Sequence, residues 1–204
     1  MSVYSWPKDP IRTLQGFEAR ALSQGARGDH SALVIWAVWT VDSLFYLEEI
    51  VNADRTDLSL YAPHNPATKA VAHLRWAAGS AITAIDLCAA VAARELGLWT
   101  GGNEFDARKL VNKRNDLPAV VVGGWPPDIL RWLEDLTMDP DYPIILGARH
   151  PLTHARVIRH FTTADRSIRI DMGGTLYTTD ELIVLARKLA TKQVEAFLDV
   201  VEIL

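Results

Sequence analysis

The apolar residues of this chain recur mostly at three- and four-residue steps, the spacing that gathers side chains onto one face of an α-helix. A first long helix is expected over about Ser31 to Val51, with Asp29 as its N-cap. Leu33, Val34, Trp36, Val38, Trp39, Val41, Leu44, Phe45, Leu47 and Ile50 surround most of its circumference. Such a helix is packed on several sides, or meets a partner subunit. After a polar, turn-rich stretch from Asn52 to Asn65, the pair Asn65-Pro66 is an N-cap followed by proline at the first helical position. From there to Leu96 the stripe Leu74, Ala78, Ala81, Ile85, Cys88, Ala92, Leu96 predicts a second long helix, its alanines allowing close packing. Gly97 should end it, and Gly101-Gly102 should open a loop.

The middle of the chain is less regular. Phe105 to Lys113 reads as helical, and Ala119 to Val122 as a strand or a buried extended segment. After Pro126-Pro127 a short helix should carry Ile129, Trp132, Leu133 and Leu136 on one side. Asp139 to Pro143 reads as a turn, and Ile144 to His160 as a helix in two pieces divided at Pro151. The period then changes to two: Ile168, Ile170 and Met172 alternate with polar residues, Gly173-Gly174 turns the chain, and Leu176-Tyr177 returns, which predicts a small β-hairpin. Thr178-Thr179-Asp180-Glu181 is a capping box opening a last helix that runs through Leu182, Leu185, Leu189, Ala196, Val200 and Leu204. Residues 1–26 read as an irregular N-terminal segment with a short helix around Leu14 to Ser23. The expected fold is therefore mainly all-α, an up-and-down helical bundle forming a single domain over 1–204, with the small hairpin before its last helix.

Composition narrows the setting. With 204 residues and 49% apolar content the chain can fill one sizeable core. Its 21 basic and 25 acidic residues leave a net charge of -4, so no global basic field draws in nucleic acid and any polyanion contact is local. The single cysteine, Cys88, excludes an intrachain disulfide and fits a reducing, cytoplasmic compartment. The first ten residues lack a basic region followed by an apolar run, so no signal peptide is expected. The apolar stretches Ala32 to Leu47 and Gly79 to Ala93 are interrupted by Asp42 and Asp86, which favours buried helices over membrane spans.

The most unusual local charge pattern lies between Gly147 and Ala164, where three arginines (Arg149, Arg156, Arg159) and three histidines (His150, His154, His160) occur without one acid. Half of the six histidines fall here. An ordinary solvated helix face explains such a cluster equally well. The sharper reading comes from Arg149-His150-Pro151-Leu152-Thr153-His154. Five residues on an ideal helix turn through about 500°, leaving the Arg149 and His154 directions roughly 140° apart. A bend at Pro151 is expected to bring them toward a common cleft. An imidazole exchanges a proton at neutral pH, and a guanidinium offers fixed donors to phosphate oxygens. Together they suit metal-independent RNA cleavage by attack of the ribose 2′-OH on the adjacent phosphate.

That string resembles the signature of the HEPN superfamily (higher eukaryotes and prokaryotes nucleotide-binding): an arginine, then Asn, Asp or His, then a histidine four to six residues beyond the arginine. The resemblance implies a HEPN-like bundle over roughly residues 27–204, with the motif in its later part. It implies a homodimer whose two Arg/His sets line one cleft, and for many members an endoribonuclease acting in toxin–antitoxin systems, phage defence or RNA processing. By the resemblance Arg149 contacts the scissile phosphate, His154 transfers the proton and His150 orients the two. Arg156, Arg159 and His160 are the further candidates for RNA or phosphate contact, and Asp42 is the candidate acidic partner, ahead of Asp86. No cofactor or metal is expected. An antitoxin or another protein is a candidate partner. The alternative is a non-catalytic helical module that binds a nucleotide, RNA or a protein through the same cleft.

Other residues point to structure. His150 and His154 have the spacing of a helical metal pair, with His160 as a third ligand, but the glutamate of a His-Glu-x-x-His site is missing. Cys88 sits on the alanine stripe as a small core residue, and His73 flanks it. The glycine pairs at 101–102, 123–124 and 173–174 lack the Gly-Lys-Ser/Thr ending of a phosphate-binding loop. The seven tryptophans are mainly core candidates, with Trp36 or Trp39 marking a subunit interface and Trp99 and Trp125 candidates for base stacking.

Overall fold

In the computed structural model, residues 29–56, 66–95, 106–113, 127–153, 160–162 and 168–203 are described. They form α1 (Asp29–Thr56), α2 (Pro66–Glu95), α3 (Ala107–Lys113), α4 (Pro127–Met138), α5 (Asp141–Thr153), strands β1 (His160–Thr162), β2 (Ile168–Met172) and β3 (Thr175–Thr178), and α6 (Thr179–Ile203). The fold is mainly α, with the expected hairpin directly before the last helix. The short helix near Leu14, the loops opened by Gly97, Gly101 and Gly102, and the 119–122 segment lie outside the described residues.

Several helix limits follow from local chemistry. Pro66 opens α2 at a position where its missing N–H has no intrahelical partner to lose. Thr178 and Glu181 form the capping box of α6. The Glu181 N–H donates to Thr178 Oγ1 at 3.1 Å, and the Thr178 N–H donates to Glu181 Oε2 at 2.7 Å. Ahead of α3, Asp106 accepts from the Lys109 N–H at 2.7 Å as an N-cap. On α1 the helix begins at Asp29 and runs to Thr56, five residues past the expected Val51.

Two expectations are corrected around α5. The turn is confined to Asp139 and Pro140, because helix begins at Asp141. Pro143 then sits in the first turn, where backbone N–H groups have no helical acceptor. Nor does Pro151 divide the helix: α5 runs through it to Thr153, so the proline lies in the final turn. His160 belongs to strand β1 rather than to a second helical piece.

The contacts group the chain into two compact units. Unit 1 comprises Met1–Thr40, Thr83–Asp139 and Thr191–Leu204, and unit 2 comprises Val41–Ile82 and Pro140–Ala190. In unit 1, Ile129, Trp132, Leu133 and Leu136 are buried on one face of α4, as their spacing predicts. Trp132 meets Phe197 edge-on at 4.9 Å, and its indole N–H donates to the Gln193 carbonyl at 3.1 Å. Alanines 84, 89, 92 and 93 of α2 are buried with Ile85 and Cys88. The window of α2 apolar enough to cross a membrane, within Ala70–Arg94, is 67% buried inside the protein, as for a core helix.

In unit 2, β1, β2 and β3 form an antiparallel sheet in that order, so a third strand joins the expected hairpin. Register pairs His160 with Ile170 and Met172 with Thr175. Gly173 and Gly174 make the β2–β3 turn with φ of 67° and 94°, the left-handed region that a tight hairpin turn requires. Asp171 Oδ1 closes that turn by accepting the Gly174 N–H at 2.7 Å. Helix α5 packs on β2 where Gly147 faces Met172: a Cβ on this glycine would stand 3.1 Å from Met172 Cε. That approach anchors the helix carrying Arg149.

Candidate functional site

Arg149 is half-buried near the C-terminal end of α5. Ile145, one turn earlier, and Ala148 are buried, so the helix packs its apolar side while Arg149 as a whole is only half-buried. An arginine at this end of a helix also complements the partial negative charge of the last carbonyls. Both a ligand-binding and a purely structural role are therefore chemically served by the same placement.

The rest of the sequence-derived set is placed unevenly. His150 follows Arg149 on α5 and His160 opens β1, each located by its backbone. His154, Arg156 and Arg159 lie outside the described residues. The described part of α5 ends at Thr153, so the expected convergence of Arg149 and His154 lies outside the described residues. Asp42 is exposed on α1. Among the described residues, no three His, Cys, Asp or Glu side chains gather as a metal site.

Asp86, the second acidic candidate, serves the fold. Its Oδ1 accepts the Ala107 N–H at 3.0 Å, so an acid that interrupts the apolar stripe of α2 covers a free donor at the start of α3. Cys88 is fully buried, and burial, then the neighbouring Asp86 charge, pushes its thiol well above the ordinary range. A thiol held protonated in this way is no nucleophile at neutral pH.

Two polar groupings had no local signature. In unit 1, Asp139 is buried and its Oδ2 accepts from Lys192 Nζ at 2.8 Å and Gln193 Nε2 at 3.3 Å. The side-chain oxygens of Thr191 and Gln193 are buried without a hydrogen-bond partner. In unit 2, Arg187 is ion-paired through Nε with Glu48, and its guanidinium lies 4.7 Å from the Phe45 ring centre. Glu48 and Arg187 are 139 residues apart, and Asp139 is 53 and 54 residues from Lys192 and Gln193, beyond any local pattern.

An open groove of about 620 Å³ runs beside β3 and the first turns of α6. Its ionisable lining includes Asp180, Glu181, Tyr177 and Lys188. Glu181 is engaged in the capping box, and hydrogen bonds from the Thr178 N–H and hydroxyl hold its carboxyl below the usual range. Two carboxylates against one ammonium do not suit a polyphosphate. Comparison with protein-family models, curated proteins and solved structures finds no match to this chain.

Proposed function

We propose that this protein is a metal-independent endoribonuclease of HEPN type, with Arg149 and His154 as its reacting pair. The observation that carries the reading is the acid-free Arg/His stretch whose first member, Arg149, sits on a late helix of a mainly α fold. Arg149 donates to the scissile phosphate and offsets the charge that develops there. His154 takes the proton of the ribose 2′-OH, whose oxygen bonds to phosphorus as the bond to the 5′ oxygen breaks. A proton passes to that leaving oxygen, giving a 2′,3′-cyclic phosphate and a 5′-hydroxyl. His150 orients the pair; Arg156, Arg159 and His160 hold neighbouring phosphates; Asp42 is the acidic partner.

The reading includes a homodimer in which two such sets share a cleft, doubling the local positive charge of a chain with net charge -4. It places the protein in the cytoplasm, with an antitoxin or other protein as a candidate regulator. The test is cleavage of single-stranded RNA in excess chelator. Arg149→Ala and His154→Ala should each lower the rate at least a hundredfold while leaving the circular dichroism unchanged. Cleavage undiminished in the double variant would sink the assignment. Saturable RNA binding without turnover, weakened by Arg149→Ala, would instead identify a non-catalytic binding module.

A further inference from the structure

Strand β3 is an outer strand of its sheet, bonded to β2 on one side only. Its register shows which backbone groups turn away from β2. Met172 and Thr175 close a two-residue turn and so form a hydrogen-bonded pair, whereas the next pair, Asp171 with Leu176, does not. The N–H and C=O of Leu176 therefore point outward. Thr178 faces the same way, and its N–H is taken by Glu181 Oε2 at 2.7 Å instead of by the sheet. Among the described residues no further strand pairs with this edge, and Leu176 is 47% exposed. An edge of this kind is a template for another strand.

Leu176 also lines the open groove of about 620 Å³, whose other wall is α6. Asp180, Glu181, Val184, Leu185 and Lys188 fall within roughly 140° of that helix, while Ile183, Ala186 and Ala190 are buried on the opposite side. Val184 and Leu185 are only half-buried, an apolar floor between ionisable ends. Both ionisable groups at the β3 end are carboxylates, and Lys188 lies about 12 Å further along the helix axis.

We propose that this edge and groove bind an extended, basic segment of a partner protein, which adds to β3 as a fourth strand. The residue opposite Leu176 exchanges two backbone hydrogen bonds with it in antiparallel register. Apolar side chains at alternate positions of the segment settle on Val184 and Leu185. A Lys or Arg of the segment meets the carboxylates of Asp180 and Glu181. A small molecule fits less well, because such ligands have most of their surface covered and this groove is open along its length. A second copy of β3 would bring a second Asp180 and Glu181 against the first, which like charge opposes. Nothing in this site draws on Arg149 or His154, so it and the nuclease reading can fail separately.

The test is selection of a random library of short peptides, displayed on phage, against the full chain, followed by fluorescence anisotropy with the selected peptide. Selected peptides should carry apolar residues at alternate positions together with Lys or Arg. A scan of single backbone N-methyl groups along the peptide should find one position that weakens binding at least tenfold, between neighbours that do not. Lys188→Glu, which makes the groove wholly acidic, should tighten binding at least threefold, a gain that misfolding cannot imitate. Leu176→Pro removes the outward N–H and leaves the ladder to β2 intact, so it should weaken binding at least tenfold with circular dichroism unchanged. Failure to enrich any peptide, enrichment of acidic ones, an N-methyl scan without effect, or binding lowered by Lys188→Glu would each overturn the proposal. So would a dimer of the chain alone that Leu176→Pro dissolves, which would give the edge to a second copy.

Discussion

Replacing Asp139 by alanine probes the polar centre of unit 1. The Asp139 side chain is 4% exposed, while the Lys192 side chain it meets is 62% exposed. Lys192 can therefore return to water, and its share of the contact is at most about 1 kcal/mol. Gln193 cannot, being 1% exposed, and its Oε1 already lacks a partner. Loss of its bond to the carboxylate costs about 1.5–3 kcal/mol, and stranding Nε2 adds to this, against the relief of no longer burying a charge. The net expectation for Asp139→Ala is a destabilisation of about 2–4 kcal/mol.

Gln193→Leu gives up the same bond but also removes the orphaned oxygen, so it should cost less than about 1.5 kcal/mol. With both substitutions no amide is stranded, and the pair should be less destabilised than the sum of the singles by about 1–2 kcal/mol. Urea unfolding at pH 7 with equal m-values measures this cycle directly. A loss below about 0.5 kcal/mol for Asp139→Ala, or strict additivity, would refute the argument that burial of Gln193 sets the cost.

Gly79 lies inside α2 with open space where a Cβ would stand, so Gly79→Ala should stabilise by about 0.5–1 kcal/mol, read as a higher unfolding midpoint. At the β2–β3 turn the opposite holds: Gly174→Ala forces a side chain onto a φ of 94° and should cost about 1–3 kcal/mol. Thr178→Ala removes the cap of α6 and should cost about 1 kcal/mol in the same assay. Because the folded Glu181 carboxyl is held below its unfolded value of about 4.3, its contribution is present above that pH and is lost as pH falls through the lower folded value. Glu181→Gln should accordingly flatten the acid limb of the stability profile; an unchanged limb would count against the capping role.

The parts of the fold legible in advance are those encoded by neighbours in sequence. Asn65-Pro66 marks the start of α2, Gly173-Gly174 marks the hairpin, and Thr178 with Glu181 marks α6, because each device acts within four residues. Helix α5 departs from its sequence reading because both of its prolines read as breaks. One lies in the first turn and the other in the last, where the helix tolerates the first outright and has little length left to lose at the second. Strand β1 spans three residues, too few to display a period of two. Asp86 did stand out as an acid on an apolar stripe, but its acceptor role depends on Ala107, 21 residues on. The candidate site was legible only as a motif: sequence spacing names Arg149 and His154, and of the two only Arg149, on α5, lies among the described residues.

The central claim is that Arg149 and His154 act on one phosphate through the neighbouring 2′-hydroxyl. It is tested most directly with an RNA carrying a single 2′-deoxynucleotide at the cleaved position, compared with its all-ribose twin in chelator. The two strands should bind equally, only the all-ribose strand should be cleaved, and its upstream product should carry a cyclic phosphate. Cleavage of the deoxy strand at the same bond, or a linear 3′-phosphate formed without a cyclic precursor, would contradict it.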